Sequence, residues 1–271
     1  ATGLEIELFY KVYQFIAGKD HGRPEWTNFV LRRWFMLYNF IFVHKIEKFW
    51  TFDSDTLILY RLSDHEHKFI DYDSTEQCIG KCMNGFITNI KVVKGYIDKI
   101  NELFQRKDYL VKQSKDFESY PDFAFTEMRA YLTYKEESNI NSIRLSTIIN
   151  QETFDDCICI PEDMETYDNK LNGQIVKKIY MALDGHIFTF HLLTKKFVKL
   201  NTINLSWVPL NLFKKILKHS KKKLEIMPLN KYDIENMKVL DIKENFVVKW
   251  ITIIISFLRS AKHKLKTFLN N

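Results

Sequence analysis

Two carboxylates separated by one residue, Asp53 and Asp55, follow an apolar and aromatic run in residues 49–59. In a β-strand, residues i and i+2 point to the same side, so a strand over 48–53 that runs into this pair aims both carboxylates at one point. Such a pair suits a hard divalent cation and through it a phosphate group. The alternative is a strand end whose carboxylates are solvated or cap the backbone.

The elements that must position this pair alternate between helix and strand. Helical periodicity covers residues 3–17 and 26–44, and Asp184-Gly185 between two apolar runs predicts a β-hairpin over 177–200. Further helices are expected over 90–104, 123–134, 208–219 and 245–269, and strands over 83–89 and 157–160. Residues 61–77 are expected to be irregular, and residues 107–121 polar and exposed. This order predicts an α/β fold with a mixed sheet flanked by helices, a late hairpin and C-terminal helices.

The composition is that of a packed globular protein. Hydrophobic residues make up 46% of 271 residues, with only 8 Gly and 5 Pro, which excludes a disordered chain. The four cysteines are Cys78, Cys82, Cys157 and Cys159, in C-x3-C and C-x-C spacings that do not match structural zinc sites. We therefore expect reduced thiols in a cytoplasmic protein.

The net charge of +6 is concentrated in the C-terminal third. Residues 246–258 are apolar but too short to span a bilayer, and basic residues follow them. This pattern predicts a helix on an anionic membrane surface, formed by residues 246–271, with a terminal helix packed on the core as the alternative. No nucleic-acid partner is expected, because no basic face interleaved with aromatic residues is evident. The expected location is cytoplasmic, peripheral on the inner face of the membrane.

Residues 31–59 carry a more specific signal. Arg33-Trp34-Phe35 and Leu37 lie on the predicted helix, and a short basic loop leads from it to the Asp-Ser-Asp segment. This arrangement resembles bacterial GT-A-type nucleotide-sugar glycosyltransferases, which hold Mn²⁺ or Mg²⁺ with a D-x-D motif. The resemblance implies a metal-dependent enzyme that transfers a sugar from a nucleotide-diphosphate sugar to a glycan or lipid-linked acceptor, as in polysaccharide biosynthesis.

The resemblance also implies roles for single residues. Asp53 and Asp55 would bind the metal, and Asn204 would stand where the family often has a histidine that completes the metal site. Arg33 would contact the donor together with Asp53, with Arg32 as the second candidate arginine.

Glu127 is the candidate general base of the transfer reaction. It lies in the segment Phe-Thr-Glu-Met at a predicted helix start, where the family often has an acidic residue followed by Met. A base that accepts the proton of the acceptor hydroxyl must lie within hydrogen-bond reach of it.

The expected domain organisation is a GT-A-like domain over residues 1–225 and a basic amphipathic helical tail over 226–271. Only 52 residues precede Asp53, so the resemblance implies that part of the family's N-terminal nucleotide-binding segment is missing. Two alternatives stay open. One is a non-catalytic GT-A-like binding or assembly subunit, and the other is a haloacid-dehalogenase-type phosphatase, whose nucleophile also lies in a D-x-D motif.

Overall fold

The computed structural model describes residues 3–220, 237–240 and 242. The chain divides into two compact units. The first contains the described residues up to Ile158 together with Val198–Ser206, and the second contains Cys159–Phe197 with the described residues from Trp207 onward. Helices occur together with sheets that include parallel and antiparallel strand pairs, which confirms the predicted α/β class. The domain boundary predicted at 225/226 lies outside the described residues.

Two helices begin the first unit, α1 (Leu4–Val12) and α2 (Pro24–Val43). Pro24 starts α2, where its missing N–H removes no helical hydrogen bond. The core-facing side chains of α2 recur every three or four residues, at Val30, Leu31, Trp34, Phe35, Tyr38 and Ile41. The helix predicted over 26–44 is confirmed, and its buried stripe leaves the neighbouring Arg33 only partly buried.

Three more helices follow in this unit, α3 (Ile90–Gln105), α4 (Lys107–Ser119) and α5 (Glu127–Glu137). The Asn89 side chain caps α3 by accepting a hydrogen bond from the Lys91 N–H at 3.0 Å. Residues 107–121, expected only to be polar and exposed, form α4 because Leu110, Gln113 and Phe117 give it a narrow buried stripe at helical spacing.

Strands β1 (Phe49–Thr51) and β2 (Thr56–Ile58) flank the two aspartates. The strand predicted over 48–53 ends at Thr51, so the prediction that Asp53 and Asp55 share one side of a strand is wrong. They lie in a turn, in which the Thr56 N–H donates to the Asp53 carbonyl at 3.0 Å. The contacts of the turn, and not strand alternation, therefore orient the two carboxylates.

A four-stranded sheet joins β1 to β3 (Ser74–Gln77), β4 (Cys82–Ile87) and β5 (Ser142–Arg144), in the order β1-β4-β3-β5. β4 pairs antiparallel with both β1 and β3, and β5 pairs parallel with β3. Trp50 of β1 stacks on Phe86 and on Phe154, with ring centroids 4.8 and 5.4 Å apart. These rings fix the strand that leads into the aspartate turn.

Strand β3 was expected to be irregular, because residues 61–77 are polar and charged. All four of its residues are buried, and the side chains of Thr75, Glu76 and Gln77 have hydrogen-bond partners inside the fold. Thr75 donates to the Asn84 carbonyl, Gln77 donates to the Asp155 carbonyl, and Glu76 accepts from Tyr131. A strand stabilised by such pairing has no hydrophobic alternation, so the prediction was wrong. A 3-10 helix, Leu62–Lys68, precedes it.

Strand β6 (Glu152–Phe154) occurs where no strand was expected, and residues 157–160, predicted as a strand, are not one. In the second unit, β7 (Tyr180–Ala182) and β8 (Ile187–His191) pair antiparallel. The Asp184-Gly185 turn joins them, with Gly185 at φ +92°, a left-handed conformation that glycine adopts without steric cost. The predicted hairpin is confirmed.

Strand β9 (Lys196–Asn204) returns to the first unit and pairs antiparallel with β2, with Thr56 opposite Asn204. It also pairs parallel with β6. The end of β9 is thereby set beside the aspartate turn.

In the second unit, β10 (Met237–Val239) pairs antiparallel with β7. Helix α6 (Leu210–Ser220) confirms the helix predicted over 208–219. Within the described part of the chain, every helix is too short or too polar to cross a bilayer. The helix predicted over 245–269, and with it the proposed membrane-binding tail, lies outside the described residues.

Glu152 of β6 lies among three basic side chains in the first unit. Its carboxylate forms ion pairs with Lys68 and Lys199, and the His65 ring nitrogen lies 3.5 Å from it. Burial raises the pKa of Glu152, but the hydrogen bonds from Lys199 and Lys68 outweigh burial and lower the pKa from 4.5 to about 2. The cluster ties the 3-10 helix to β6 and β9.

The lowered pKa makes stability depend on pH. Glu152 binds its proton more weakly in the folded state than in the unfolded state. Its contribution to the free energy of unfolding is therefore complete above pH 4.5 and is lost as pH falls toward 2. We expect Glu152→Gln to lower the free energy of unfolding at pH 7 by about 3 kcal/mol, since it leaves two lysines without their carboxylate. Urea unfolding at pH 7 and pH 3 measures this, with the exposed Glu118→Gln as control. An equal loss at both pH values would contradict the assignment.

Candidate active site

Arg33 joins two of the predicted site residues. Its guanidinium forms an ion pair with the Asp53 carboxylate, and its second terminal nitrogen lies 3.6 Å from Glu127 Oε1. Arg33 comes from α2, Asp53 from the turn after β1, and Glu127 from the first turn of α5. The structure therefore brings together three residues that the sequence separates by up to 94 positions.

Glu127 is the most buried member of this group. Its side chain is 10% exposed, and among the described residues its Oε2 atom has no hydrogen-bond partner. Burial raises the pKa of Glu127 above its usual value; the Arg33 charge opposes this rise, and the Asp53 charge adds to it. A carboxyl with a raised pKa and an uncommitted oxygen has the properties of a general base.

The position of Glu127 is fixed through its backbone. The Tyr96 hydroxyl, buried on α3, donates to the Glu127 carbonyl at 2.6 Å. Burial and the nearby Glu127 charge raise the pKa of Tyr96 well above its usual value, so the phenol stays protonated and keeps donating. Helix α3 thus sets where α5 begins.

Asp55 faces a different set of partners. Ser206 Oγ lies 2.6 Å from Asp55 Oδ2, and the Leu205 N–H donates to the Asp55 carbonyl at 2.9 Å. The Asn204 amide nitrogen makes a long contact of 3.5 Å with Asp55 Oδ1. The structure therefore brings Asn204 next to Asp55 and adds Ser206, to which the sequence analysis assigned no role.

The orientation of Asn204 bears on its predicted role as a metal ligand. Its oxygen accepts a hydrogen bond from the Ser206 N–H at 3.0 Å and lies 2.6 Å from Ser206 Oγ, so it is already engaged. Its amide nitrogen faces Asp55. Metal ligation by the Asn204 oxygen would require release of Ser206, and this role stays a prediction.

Arg32, the second candidate arginine, is partly buried beside Arg33, and within the described residues its Nε has no hydrogen-bond partner. Adjacent residues of a helix point about 100° apart, so Arg32 cannot replace Arg33 in the same contacts. Its predicted role in donor binding stays a prediction.

The loop between β3 and β4 has an unusual backbone that the sequence did not indicate. Its residues Cys78, Ile79 and Gly80 all have positive φ. Such a conformation is strained for the β-branched Ile79, and Asp156 holds it by accepting a hydrogen bond from the Ile79 N–H at 2.7 Å. A hydrogen bond with Cys78 and burial raise the pKa of Cys82, and the charges of Asp53 and Glu127 add to the rise.

The donor chemistry of the turn fits a hard divalent cation. Asp53 and Asp55 offer carboxylate oxygens, and Mg²⁺-type sites are often completed by substrate phosphates in place of protein ligands. Within the described residues, no group of three or more His, Cys, Asp or Glu side chains could hold a metal ion by itself. Asp53 and Asp55 alone would leave most coordination positions of such an ion to other oxygen donors.

Charge supports the same interpretation. Arg33 contributes one positive charge against the three carboxylates of Asp53, Asp55 and Glu127, which leaves two negative charges when all are ionised. Like charges in a partly buried site are unfavourable unless a cation balances them.

Comparisons with known proteins give no further assignment: no protein family, curated protein or solved structure matches this chain.

The Arg33–Glu127 contact can be tested by titration. Because the Arg33 charge lowers the pKa of Glu127 against the effect of burial, Arg33→Gln should raise the pKa of Glu127 further. The titration of the Glu127 carboxyl carbon in ¹³C NMR measures this. Arg32→Gln is the matched control and should leave the titration unchanged, and equal shifts in both variants would contradict the contact.

Proposed function

We propose that this chain is a metal-dependent GT-A-type glycosyltransferase that moves a sugar from a nucleotide-diphosphate sugar to a glycan or lipid-linked acceptor. The observation that carries the proposal is that the carboxylates of Asp53 and Glu127 both lie against one guanidinium, that of Arg33. These are the residues to which the resemblance over residues 31–59 and at Glu127 assigns donor contact, metal binding and base catalysis.

Glu127 would act as the general base. The acceptor hydroxyl loses its proton as its oxygen attacks the anomeric carbon, and the nucleoside diphosphate leaves with the electrons of the glycosidic bond. Glu127 Oε2, which has no partner among the described residues, is the oxygen that would take this proton. A pKa raised by burial increases the basicity of the carboxylate once it is ionised.

Arg33 would have two functions. In the ligand-free chain it balances Asp53 and Glu127. A guanidinium has five donor N–H groups and suits bidentate contact with phosphate, so Arg33 can contact the donor diphosphate while it stays near Asp53.

Asp53 and Asp55 would hold the Mn²⁺ or Mg²⁺ ion, with Asp55 as the preferred direct ligand because the Asp53 carboxylate is already paired with Arg33. When bound, such an ion neutralises the charge that develops on the leaving diphosphate.

The alternative of a non-catalytic GT-A-like subunit differs in measurable ways. It would keep the fold and lack turnover.

The phosphatase alternative requires Asp53 as a nucleophile, and the ion pair with Arg33 engages that carboxylate. Release of phosphate from an aryl phosphate, lost in Asp53→Asn, would favour the phosphatase over the transferase.

Donor binding is the first test. Isothermal calorimetry with a UDP-sugar and Mn²⁺ should detect binding that requires the metal. Asp55→Ala should weaken it by more than about tenfold, because a carboxylate ligand is lost. The exposed Asp71→Ala is the matched control and should bind as the wild type does. Metal-independent binding, or no binding by the wild-type chain, would contradict the proposal.

Turnover is the second test. Glu127→Gln should lower kcat by about 10²–10⁴-fold, since an amide cannot accept the proton, and should leave donor binding intact. Because the pKa of Glu127 is raised, wild-type kcat/KM should fall, as pH decreases, at a higher pH than an ordinary glutamate would give. Glu136→Gln, exposed on the same helix, is the control. Donor binding without turnover in the wild type would favour the non-catalytic subunit.

A further inference from the structure

Ser206, the second residue after β9, makes the closest side-chain contact to Asp55. Ser206 Oγ lies 2.6 Å from Asp55 Oδ2 and also 2.6 Å from Asn204 Oδ1. A hydroxyl has one proton to donate, so it can donate fully to only one of these two oxygens at a time. Ser206 Oγ, Asp55 Oδ2 and Asn204 Oδ1 therefore lie together, and the Ser206 hydroxyl proton is the one that can be shared among them.

The Asn204 oxygen has a second donor, whereas among the described residues Asp55 Oδ2 has no hydrogen-bond donor besides the Ser206 hydroxyl. The Ser206 N–H donates to Asn204 Oδ1 at 3.0 Å, which is an Asx-type turn. Because this N–H already donates to the amide oxygen, that oxygen does not depend on the Ser206 hydroxyl, and the hydroxyl can donate to the Asp55 carboxylate. A hydrogen bond to a charged acceptor is the stronger of the two choices.

The base of this arrangement is buried and tightly held. Asn204 is 4% exposed, its N–H donates to Asp155 Oδ2 at 3.1 Å, and its carbonyl accepts from the Ile158 N–H at 2.9 Å. The Leu205 N–H donates to the Asp55 carbonyl from the same short segment. The segment at the end of β9 therefore forms hydrogen bonds with both the backbone and the side chain of Asp55.

We propose that Ser206 is a positioning residue for Asp55, and that its hydroxyl fixes one carboxylate oxygen so that the other, Oδ1, is directed to a divalent cation. Among the described residues, Oδ1 has only the long 3.5 Å contact with the Asn204 amide. The inference rests on the proposed function, because it assumes that Asp55 binds a metal, but it assigns a role to a residue outside the D-x-D motif.

The physical reason is rotamer selection. An aspartate in a turn can adopt several side-chain rotamers, and each rotamer directs its oxygens differently. Without the Ser206 hydroxyl, Asp55 must lose this freedom when the cation binds. Removal of a hydrogen bond to a metal ligand typically weakens metal affinity by about 10–100-fold.

The experiment compares Mn²⁺ binding by the full 271-residue chain in the presence of UDP. Calorimetry gives the affinity, and electron paramagnetic resonance of free Mn²⁺ gives an independent measure. Ser206→Ala should weaken Mn²⁺ binding by about 10–100-fold, and Ser206→Thr, which keeps the hydroxyl, should recover most of it. Ser114→Ala is the matched control, because its hydroxyl donates within α4 to the Leu110 carbonyl.

A double-mutant cycle shows whether Ser206 acts through Asp55. In an Asp55→Asn background, Ser206→Ala should cause little further loss. If Ser206→Ala weakens Mn²⁺ binding equally in both backgrounds, the inference is overturned. It is also overturned if Ser206→Ala binds Mn²⁺ with wild-type affinity while Asp55→Ala loses binding. Neither result contradicts the proposed function. Absence of Mn²⁺ binding in the wild type would overturn the proposed function and this inference together.

Discussion

The candidate site depends on one shared guanidinium. Glu127 is a buried carboxylate, and a buried charge is costly unless a partner of opposite sign lies close to it. Arg33 supplies that partner and is held at the same time by Asp53. Because α2 is fixed by its own buried stripe, Arg33 is placed by core packing and in turn sets the relation of the aspartate turn to α5.

A second constraint acts from the other side of the turn. The pairing of β2 with β9 places Thr56 opposite Asn204 and so brings the end of β9 to Asp55. Asp53 thus contacts helix α2 through Arg33, and Asp55 contacts the end of strand β9 through Ser206. The two carboxylates of one tripeptide belong to two networks, which explains why their partners differ although only Ser54 separates them.

Parts of this arrangement were predictable from the sequence. The helix that carries Arg33 and the hairpin around Asp184-Gly185 follow from local patterns, apolar periodicity in one case and turn chemistry in the other. Strand β3 was not predictable, because its buried residues are polar and gain stability from partners distant in sequence. The geometry predicted for the Asp53–Asp55 pair was wrong, since a strand was assumed where a turn occurs.

The sequence by itself determined which residues could do chemistry: a pair of aspartates, an arginine on the preceding helix and a glutamate at a helix start. The aspartate pair follows from residue type and spacing, and the arginine and the glutamate follow from the resemblance over residues 31–59 and at Glu127. Only the tertiary structure decided that Arg33 contacts Asp53 and Glu127, and that Ser206 contacts Asp55 across 151 positions. Contacts between distant residues depend on sheet register and core packing, and these arise from many weak interactions that no local segment contains.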